Sequence, residues 1–394
     1  MALLLAIVTL LACKSEKAPE IISEQSPFGD FYMTVDTLSI PITEKQHFIY
    51  PQFGTVNEND SLYLFGYNVH RHTIDVFNLT GKKYTSTIPL ERQGPNGIPE
   101  LISFAPASLD SVYIMSTYQI SLVNQLGTVK DKVMINLPTS PIKSHNSDEA
   151  FFWIEKNESI HYSKKHNTLY GLYHSMEYDM CDKRRYKEEE LISGIDLNKN
   201  QMLRLPAAYP IDKRNDSYGF ASSLYMSWDG DSLIYNFRHD PNIYIYDLNR
   251  DKTDIFDGRS RYTKNSANPI NWSQCDDVSL KMDHSMISVN FERIIRDPYR
   301  KLSYRFHRKE LPENGNVQDY IFSDKKLFIS IFDNGMAKTG EMIIDSRPYP
   351  SHVSFAGKDG LYVSAPSGEN TLSFHVFKVY LTEGDRNQYE FINN

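Results

Sequence analysis

One pattern comes round six times along this chain. A short aromatic-rich strand follows a polar turn, and a second strand then ends in Asn or Asp. The first strands begin near Leu62 (DSLYLFGY), Val112 (DSVYIMS), Leu169 (NTLYGLY), Leu233 (DSLIYNF), Leu302 (RKLSYRF) and Leu361 (DGLYVSA), at spacings of 50, 57, 64, 69 and 59 residues. A repeat of this size, strand-like throughout, predicts propeller blades rather than a helical solenoid. The second strands are Ile74–Asn78, Ile120–Asn124, Ile192–Asp196, Ile243–Asp247, Leu327–Asp333 and Leu372–Phe377. Five of these six end in Asn or Asp, residues that tolerate left-handed geometry and bond their own backbone in turns.

Many of the strands are apolar on both faces, as at Leu62, Tyr63, Leu64 and Phe65. A sheet with one wet face would alternate cleanly. Blades that stack face to face bury both faces, and the 26 Tyr and 21 Phe suit strands and fill wedge-shaped gaps between sheets. Two β-sandwich domains would also have regularly spaced strands, but those recur about every 8–12 residues without a higher period. The expected fold is therefore all-β, a six-bladed β-propeller over residues 31–394. No Pro/Gly/Ser-rich tract after residue 30 suggests an interdomain linker. A ring grows by adding blades, so it escapes the size limit of a single core.

Closure needs a last outer strand. Tyr32–Ile40 is the preferred candidate, because that early segment otherwise has no sheet to join. Tyr389–Ile392 is the competitor. The innermost strands are expected at Phe53–Val56, Ile102–Pro106, Phe151–Glu155, Leu224–Trp228, Ile287–Phe291 and Val353–Ala356.

The first residues read MALLLAIVTLLAC. The apolar run is too short to span a bilayer but has the length of a signal-peptide core. Leu10, Leu11, Ala12 and Cys13 resemble a lipobox, the site where bacterial lipoproteins are cleaved and acylated on the Cys. No Lys or Arg precedes the run, a departure from that pattern. The reading is a signal peptide over 1–12, lipidation at Cys13 and a flexible tether over 13–30, too polar to fold alone. The membrane is thus the expected partner, and the location a bacterial cell envelope, at the outer membrane.

Cys181 and Cys275 fall in polar loops of different blades, which makes a poor case for a disulfide. The segment Glu177–Glu190, dense in both charge signs, is expected to be a solvated hairpin or loop. A formal charge of −8, from 42 basic and 50 acidic residues, argues against nucleic acid.

The lipobox, the tether and the six-fold repeat together resemble the propeller lipoproteins of the Bacteroidota, a family of unknown function. Three stretches carry the likeness: Glu91–Gly97 (ERQGPNG), the DSLY-type strands, and Arg296–Phe306 (RDPYRKLSYRF). The Gly-Pro-Asn-Gly loop before a strand is also similar, more distantly, to blades of the NHL and TolB-like types. The resemblance implies a six-bladed, exported, membrane-anchored ring and transfers no catalytic residue. Four Asp-Ser/Thr-apolar triplets, at Asp36, Asp60, Asp110 and Asp231, resemble an O-glycosylation acceptor used by such bacteria. Asp-Ser is equally the turn that launches each blade strand.

Enzymatic motifs are missing from the sequence: there is no Gly-x-Ser-x-Gly elbow, no His-Glu-x-x-His and no phosphate-binding loop. A calcium-dependent lactonase site would need several Asp, Glu or Asn side chains converging on the axis, and only Glu155 and Asn290 qualify in the expected inner strands. No catalytic residue, cofactor or metal is assigned. Two functions stay open: a non-catalytic ligand-binding or protein-interaction propeller, and a glycan- or lactone-directed hydrolase or lyase.

The loop leaving each DSLY-type strand and the loop leading into the next blade should open on the same side of the ring. That side then carries Tyr67, His70, Arg71 and His72, Arg92, Tyr118, Arg238, His239 and Asp240, and His307 with Arg308. Arg offers planar bidentate donors and Tyr a stacking surface, a combination suited to an anionic or carbohydrate ligand. The candidate ligand-binding residues are Tyr67, His72, Arg92, Arg238, His239 and Arg308, with Arg92, Arg238 and His239 expected to converge near the axis. The same residues read equally as solvated loop positions.

Overall fold

A computed structural model describes residues 21–22, 32–50, 52–116, 119–134, 150–151, 160–172, 174–175, 181–187, 190–312, 324–344, 353–366, 368 and 370–380. Strands β1 (Ile21–Ile22) and β2 (Tyr32–Pro41) precede the first full blade. Blade 1 is β3 (Phe53–Glu58), β4 (Ser61–Asn68), β5 (Thr73–Asn78) and β6 (Lys83–Pro89). Blade 2 is β7 (Ser103–Ser108), β8 (Ser111–Met115), β9 (Gln119–Val123) and β10 (Val129–Met134). A short pair, β11 (Ala150–Phe151) with β14 (His174–Ser175), stands beside blade 3, itself β12 (His161–Ser163), β13 (Thr168–Leu172), β15 (Ile192–Asp196) and β16 (Gln201–Leu205). Blade 4 is β17 (Leu224–Asp229), β18 (Ser232–Phe237), β19 (Ile243–Asp247) and β20 (Lys252–Phe256), and helix α1 (Val278–Ile287) follows it. Blade 5 is β21 (Asn290–Asp297), β22 (Leu302–Arg308), β23 (Leu327–Phe332) and β24 (Lys338–Ile344). Blade 6 is β25 (Ser354–Gly357), β26 (Gly360–Ser364) and β27 (Thr371–Tyr380).

These sheets make a six-bladed all-β propeller. Its sixth sheet is completed by β2, antiparallel to β27 from Tyr32↔Tyr380 to Pro41↔Thr371. This is the closure expected for Tyr32–Ile40; Tyr389–Ile392 lies outside the described residues. Within the stretch read as a tether, β1 runs parallel to the outer strand of blade 4, Ile21 opposite Ile255 and Ile22 opposite Phe256.

The Asn/Asp signature has a direct cause. Each of these residues ends the third strand of a blade and caps the hairpin into the fourth. The Asn78 side chain accepts from Gly81 N at 2.6 Å, and Asn124 Oδ1 from Thr128 N at 2.8 Å. Asp196, Asp247 and Asp333 accept likewise from Asn198, Asn249 and Ala337 N at 2.9, 2.8 and 2.9 Å. The sixth repeat lacks the signature because β27 makes no such hairpin; its outer neighbour comes from the other end of the chain.

Apolar packing is divided among the blade interfaces. Leu64, Phe77, Phe355 and Phe374 join blades 6 and 1. Phe65, Val76, Phe104 and Ile114 join blades 1 and 2. Tyr170, Met226, Leu233 and Tyr246 join blades 3 and 4. The cluster between blades 4 and 5 is small: Ile234, Ile243, Ile294, Phe332 and Met336.

Three expectations need correction. The inner strand of blade 3 is His161–Ser163, not Phe151–Glu155. A short hairpin must end just before Thr168, and Ser163 pairs with that residue; Glu155 itself lies outside the described residues. The inner strand of blade 5 starts at Asn290, since Ile287 closes α1. Third, Cys181 and Cys275 are joined by a disulfide, with Cα atoms 5.4 Å apart. The bridge pins part of the charged Glu177–Glu190 segment to the ring. Tyr186 within it is fully buried, 4.8 Å from the Tyr209 ring and edge-on to Trp272. One aromatic anchor and one covalent bond therefore hold residues 181–187 to the ring, while the charged Lys183, Arg184 and Lys187 stay exposed as expected.

Candidate functional site

The two sets of loops named from the sequence do share one face of the ring. Leu90 N donates to His72 O, Ala267 N to His239 O and Phe291 N to Arg238 O. Each bond joins the loop after a second strand to the segment leading into the next blade.

On that face three of the histidines, His72, His239 and His307, are structural. His72 is buried, with a left-handed φ of 54°. Its Nε2 lies 2.6 Å from Ile98 O, and Tyr67 Oη 2.8 Å from Nδ1. A carbonyl only accepts, so Nε2 carries the proton and the Tyr67 hydroxyl donates to Nδ1. His239 is fully buried, stacked on Tyr218 at 4.0 Å, and its Nδ1 is 3.1 Å from Ala221 O. Burial pushes its pKa down to about 3, so the ring is neutral. His307 is sandwiched between Phe291 and Phe328, with Nε2 2.8 Å from Glu341 Oε1. Asp240 is buried and accepts from Tyr244 Oη at 2.7 Å, and burial raises its carboxyl to about 6. A sequence shows that these side chains are polar and near turns; it does not show that a neighbouring segment folds over them.

The remaining candidates separate into two groups. Arg92, exposed, donates to Pro99 O at 3.1 Å and lies near enough to His72 to influence its titration. His70 and Arg71 are exposed beside it, His70 stacked on His47. Arg238 belongs to a second group at the boundary of blades 4 and 5. Its backbone N donates to Ser223 O, and its carbonyl accepts from Phe291 N, both at 3.0 Å. Ser223 and Phe291 stand at the loop-face ends of two innermost strands, so Arg238 sits at the mouth of the channel. Its Nε is buried with no hydrogen-bond partner. Arg308 Nε donates to Glu292 Oε1 at 3.2 Å. Lys325, unforeseen from sequence, is fully buried and donates to Ser288 O. Burial, then the charges of Arg238 and Arg308, lowers its pKa to about 7. Tyr118 and Cys13 lie outside the described residues.

Below the mouth, the six innermost strands enclose an axial cavity of about 300 Å³. Phe53, Phe104, His161, Ser227, Arg293 and Phe355 line it, among others. Among the described residues no three His, Cys, Asp or Glu side chains come together.

The family model for the domain of unknown function DUF4221 matches residues 28–343, and the chain belongs to that family. A crystal structure of a DUF4221 member from Bacteroides vulgatus is similar, with a TM-score of 0.74 and 18% identity, over 90% of this chain and 99% of that one. A Bacteroides fragilis protein named as exported has a TM-score of 0.54 and 10% identity, over 89% of this chain and 96% of its own. At these identities the likeness is one of fold. No curated protein matches the sequence.

The stretches that carried the resemblance are scaffolding. In Glu91–Gly97 the turn closes through Ile98 N to Glu91 O at 2.7 Å, with Gly94 at a φ of 89°. In Arg296–Phe306, Asp297 caps the turn by accepting from Tyr299 and Arg300 N at 3.0 Å each. Arg300 reaches Gly357 O in blade 6 and Arg296 reaches Asp229 in blade 4, at 3.1 and 2.7 Å. Three of the four Asp-Ser/Thr triplets, at Asp60, Asp110 and Asp231, are the turns between first and second blade strands.

Proposed function

We propose that this protein is a non-catalytic binding propeller, exported and held at the outer membrane by a lipid on Cys13, which recognises an anionic or carbohydrate ligand at the loop-face mouth of its channel. The observation that carries this is Arg238. A guanidinium with a buried, unpartnered Nε sits at the mouth, with Lys325 and Arg308 close by. A buried N–H without a hydrogen-bond partner is costly, and a bound carboxylate or sulfate would accept from it with bidentate geometry. The name of the exported Bacteroides fragilis neighbour and the lipobox both support the location. The hydrolase reading has no observation in its favour.

Polygalacturonate, inorganic phosphate and neutral dextran are the probes. Arg238→Ala should weaken binding of the anionic probes about tenfold, the equivalent of about 1.4 kcal/mol, with dextran unaffected. Unchanged binding of all three would refute the site. Intact-mass analysis of membrane-extracted protein should show an acylated Cys13 at the N-terminus; a soluble product that keeps Met1 would refute the anchor.

A further inference from the structure

We propose that helix α1 is a docking site for a partner protein, and that its outward stripe takes an amphipathic helix with basic residues beside the apolar face. This site stands apart from the Arg238 reading and does not depend on it.

The burial of α1 is inverted. Lys281 is buried, while Val278 and Met282 are 57% and 61% exposed. Lysine is among the residues least often buried, and valine and methionine among those most often buried. The helix is held in this orientation from behind. Asp277 caps its first turn, accepting from Ser279 and Leu280 N at 2.8 and 3.2 Å. The Lys281 stem packs on the turn at Gly219–Ser222, where a Cβ on Gly219 would come within 3.1 Å of Lys281 Cγ. Lys281 Nζ lies 5.5 Å over the Phe220 ring and 3.7 Å from Cys181 Sγ. His284 Nε2 lies 2.6 Å from Asn268 O, and Ile287 O accepts from Leu311 N at 2.9 Å. Turning the helix over would break all of these contacts, so its apolar side stays outward.

Positions 278, 282 and 286 fall on one face of a helix, at i, i+4 and i+8. Val278, Met282 and the half-buried Met286 therefore form one apolar stripe, and methionine adapts readily to a partner's shape. Single exposed apolar residues are ordinary on a surface; a stripe on a helix fixed from behind is the geometry by which helices recognise one another.

Charge then selects the occupant. Asp276 and Asp277 stand exposed at the N-terminal end of the stripe, and Asp283 lies one position round from Met282. Lys281 and Lys183 are turned onto the Phe220 and Trp272 rings. A second copy of the chain would bring two such sets of carboxylates together, and an anionic lipid surface would repel them. A helix with basic residues flanking its apolar face complements both the stripe and the carboxylates.

Fluorescence anisotropy on the full-length chain tests this with a labelled Leu/Lys amphipathic helical peptide and its charge-reversed Leu/Glu counterpart. The Leu/Lys peptide should bind saturably, and the Leu/Glu peptide at least about tenfold more weakly. Met282→Lys should weaken the Leu/Lys peptide at least about tenfold, with the thermal midpoint held because the side chain is exposed. Ile343→Lys makes the same charge change at another exposed apolar residue, on the outer strand of blade 5, and should bind as the wild type does. Arg238→Ala should also leave peptide binding unchanged. The proposal is overturned if the Leu/Lys peptide does not bind, if both peptides bind alike, or if Met282→Lys binds as the wild type does. It is also overturned if sedimentation shows a dimer that Met282→Lys dissolves, or if phosphatidylglycerol vesicles bind the wild type and not Met282→Lys.

Discussion

Gly66 in blade 1 and Arg305 in blade 5 occupy the same place in the repeat. Each lies on the second strand, opposite the residue three before the capping Asn78 or Asp333, namely Asp75 and Ser330. Each faces the preceding blade. The two interfaces nevertheless solve the position in opposite ways. At Gly66 the protein leaves a gap, and a Cβ there would come within 2.3 Å of the Tyr50 ring. Tyr50 fills the gap and donates to buried Asp75 at 2.7 Å, with Asn68 and Thr87 completing that carboxylate's hydrogen bonds. At Arg305 the side chain itself crosses the interface. It is fully buried, donates to Pro241 O at 2.6 Å and to Gly258 O, and stacks 4.6 Å from Phe291. Around it stand His307, Lys338 and Glu341, where the apolar cluster is smallest. The blade template fixes where a side chain points, and the neighbouring segment decides whether that place holds an aromatic ring or a charge.

The sharpest way to break this comparison is Arg305→Ala. It strands two buried carbonyls, at about 1–3 kcal/mol each, and opens a cavity. Urea unfolding should show a loss of about 4 kcal/mol. Arg305→Met restores volume without the hydrogen bonds and should recover less than half of it. A loss below about 1 kcal/mol for Arg305→Ala would mean that the charge is dispensable there.

Glu341 sets the pH behaviour of the same interface. Burial pushes its carboxyl up, but His307 and Lys338 outweigh that and bring it down to about 2. A carboxyl depressed in the folded state stabilises the fold above its ordinary value of 4.5, and that contribution is lost as pH falls toward 2. Stability should fall by on the order of 2–3 kcal/mol across this window in excess of Glu341→Gln, whose acid limb should be flatter. Parallel acid limbs would remove Glu341 from the account.

Gly66→Ala probes the other interface. Its Cβ meets a packed ring rather than a flexible tip, so overpacking of about 2 kcal/mol is expected in denaturant titration. A neutral result would show that Tyr50 can retreat. The smallest effect belongs to Arg238→Ala. Half-buried and with no side-chain hydrogen bond to a described residue, Arg238 should change stability by less than about 0.5 kcal/mol when removed, which separates its role in binding from the structural role of Arg305. A large loss would place Arg238 with Arg305 instead.

Much of this was legible in the residues. Alternation, turn chemistry and the Asn/Asp caps are local, because each depends on atoms a few bonds away. The blade count and the second and third strands follow from them, and the ring closure at Tyr32 from the early strand having no other sheet to join. The site was less legible. Arg238 was found because an Arg after a blade strand must lie on the loop face. His72, His239 and His307 looked the same by that rule, yet covering segments bury them. Lys325 gave no signal, since it sits beside Lys326 in a polar stretch like any solvated lysine.

By itself the sequence determined the period and the blade topology, since short-range hydrogen bonding and side-chain alternation specify them; for the closing strand it offered two candidates, and the pairing of Tyr32–Pro41 with Thr371–Tyr380 chose between them. The tertiary structure alone decided the Cys181–Cys275 bond, the burial of Arg305 and its neighbours, and the residues that line the axial cavity. Those depend on which segments meet across blades, at separations such as the 94 residues between the cysteines, where no local rule reaches.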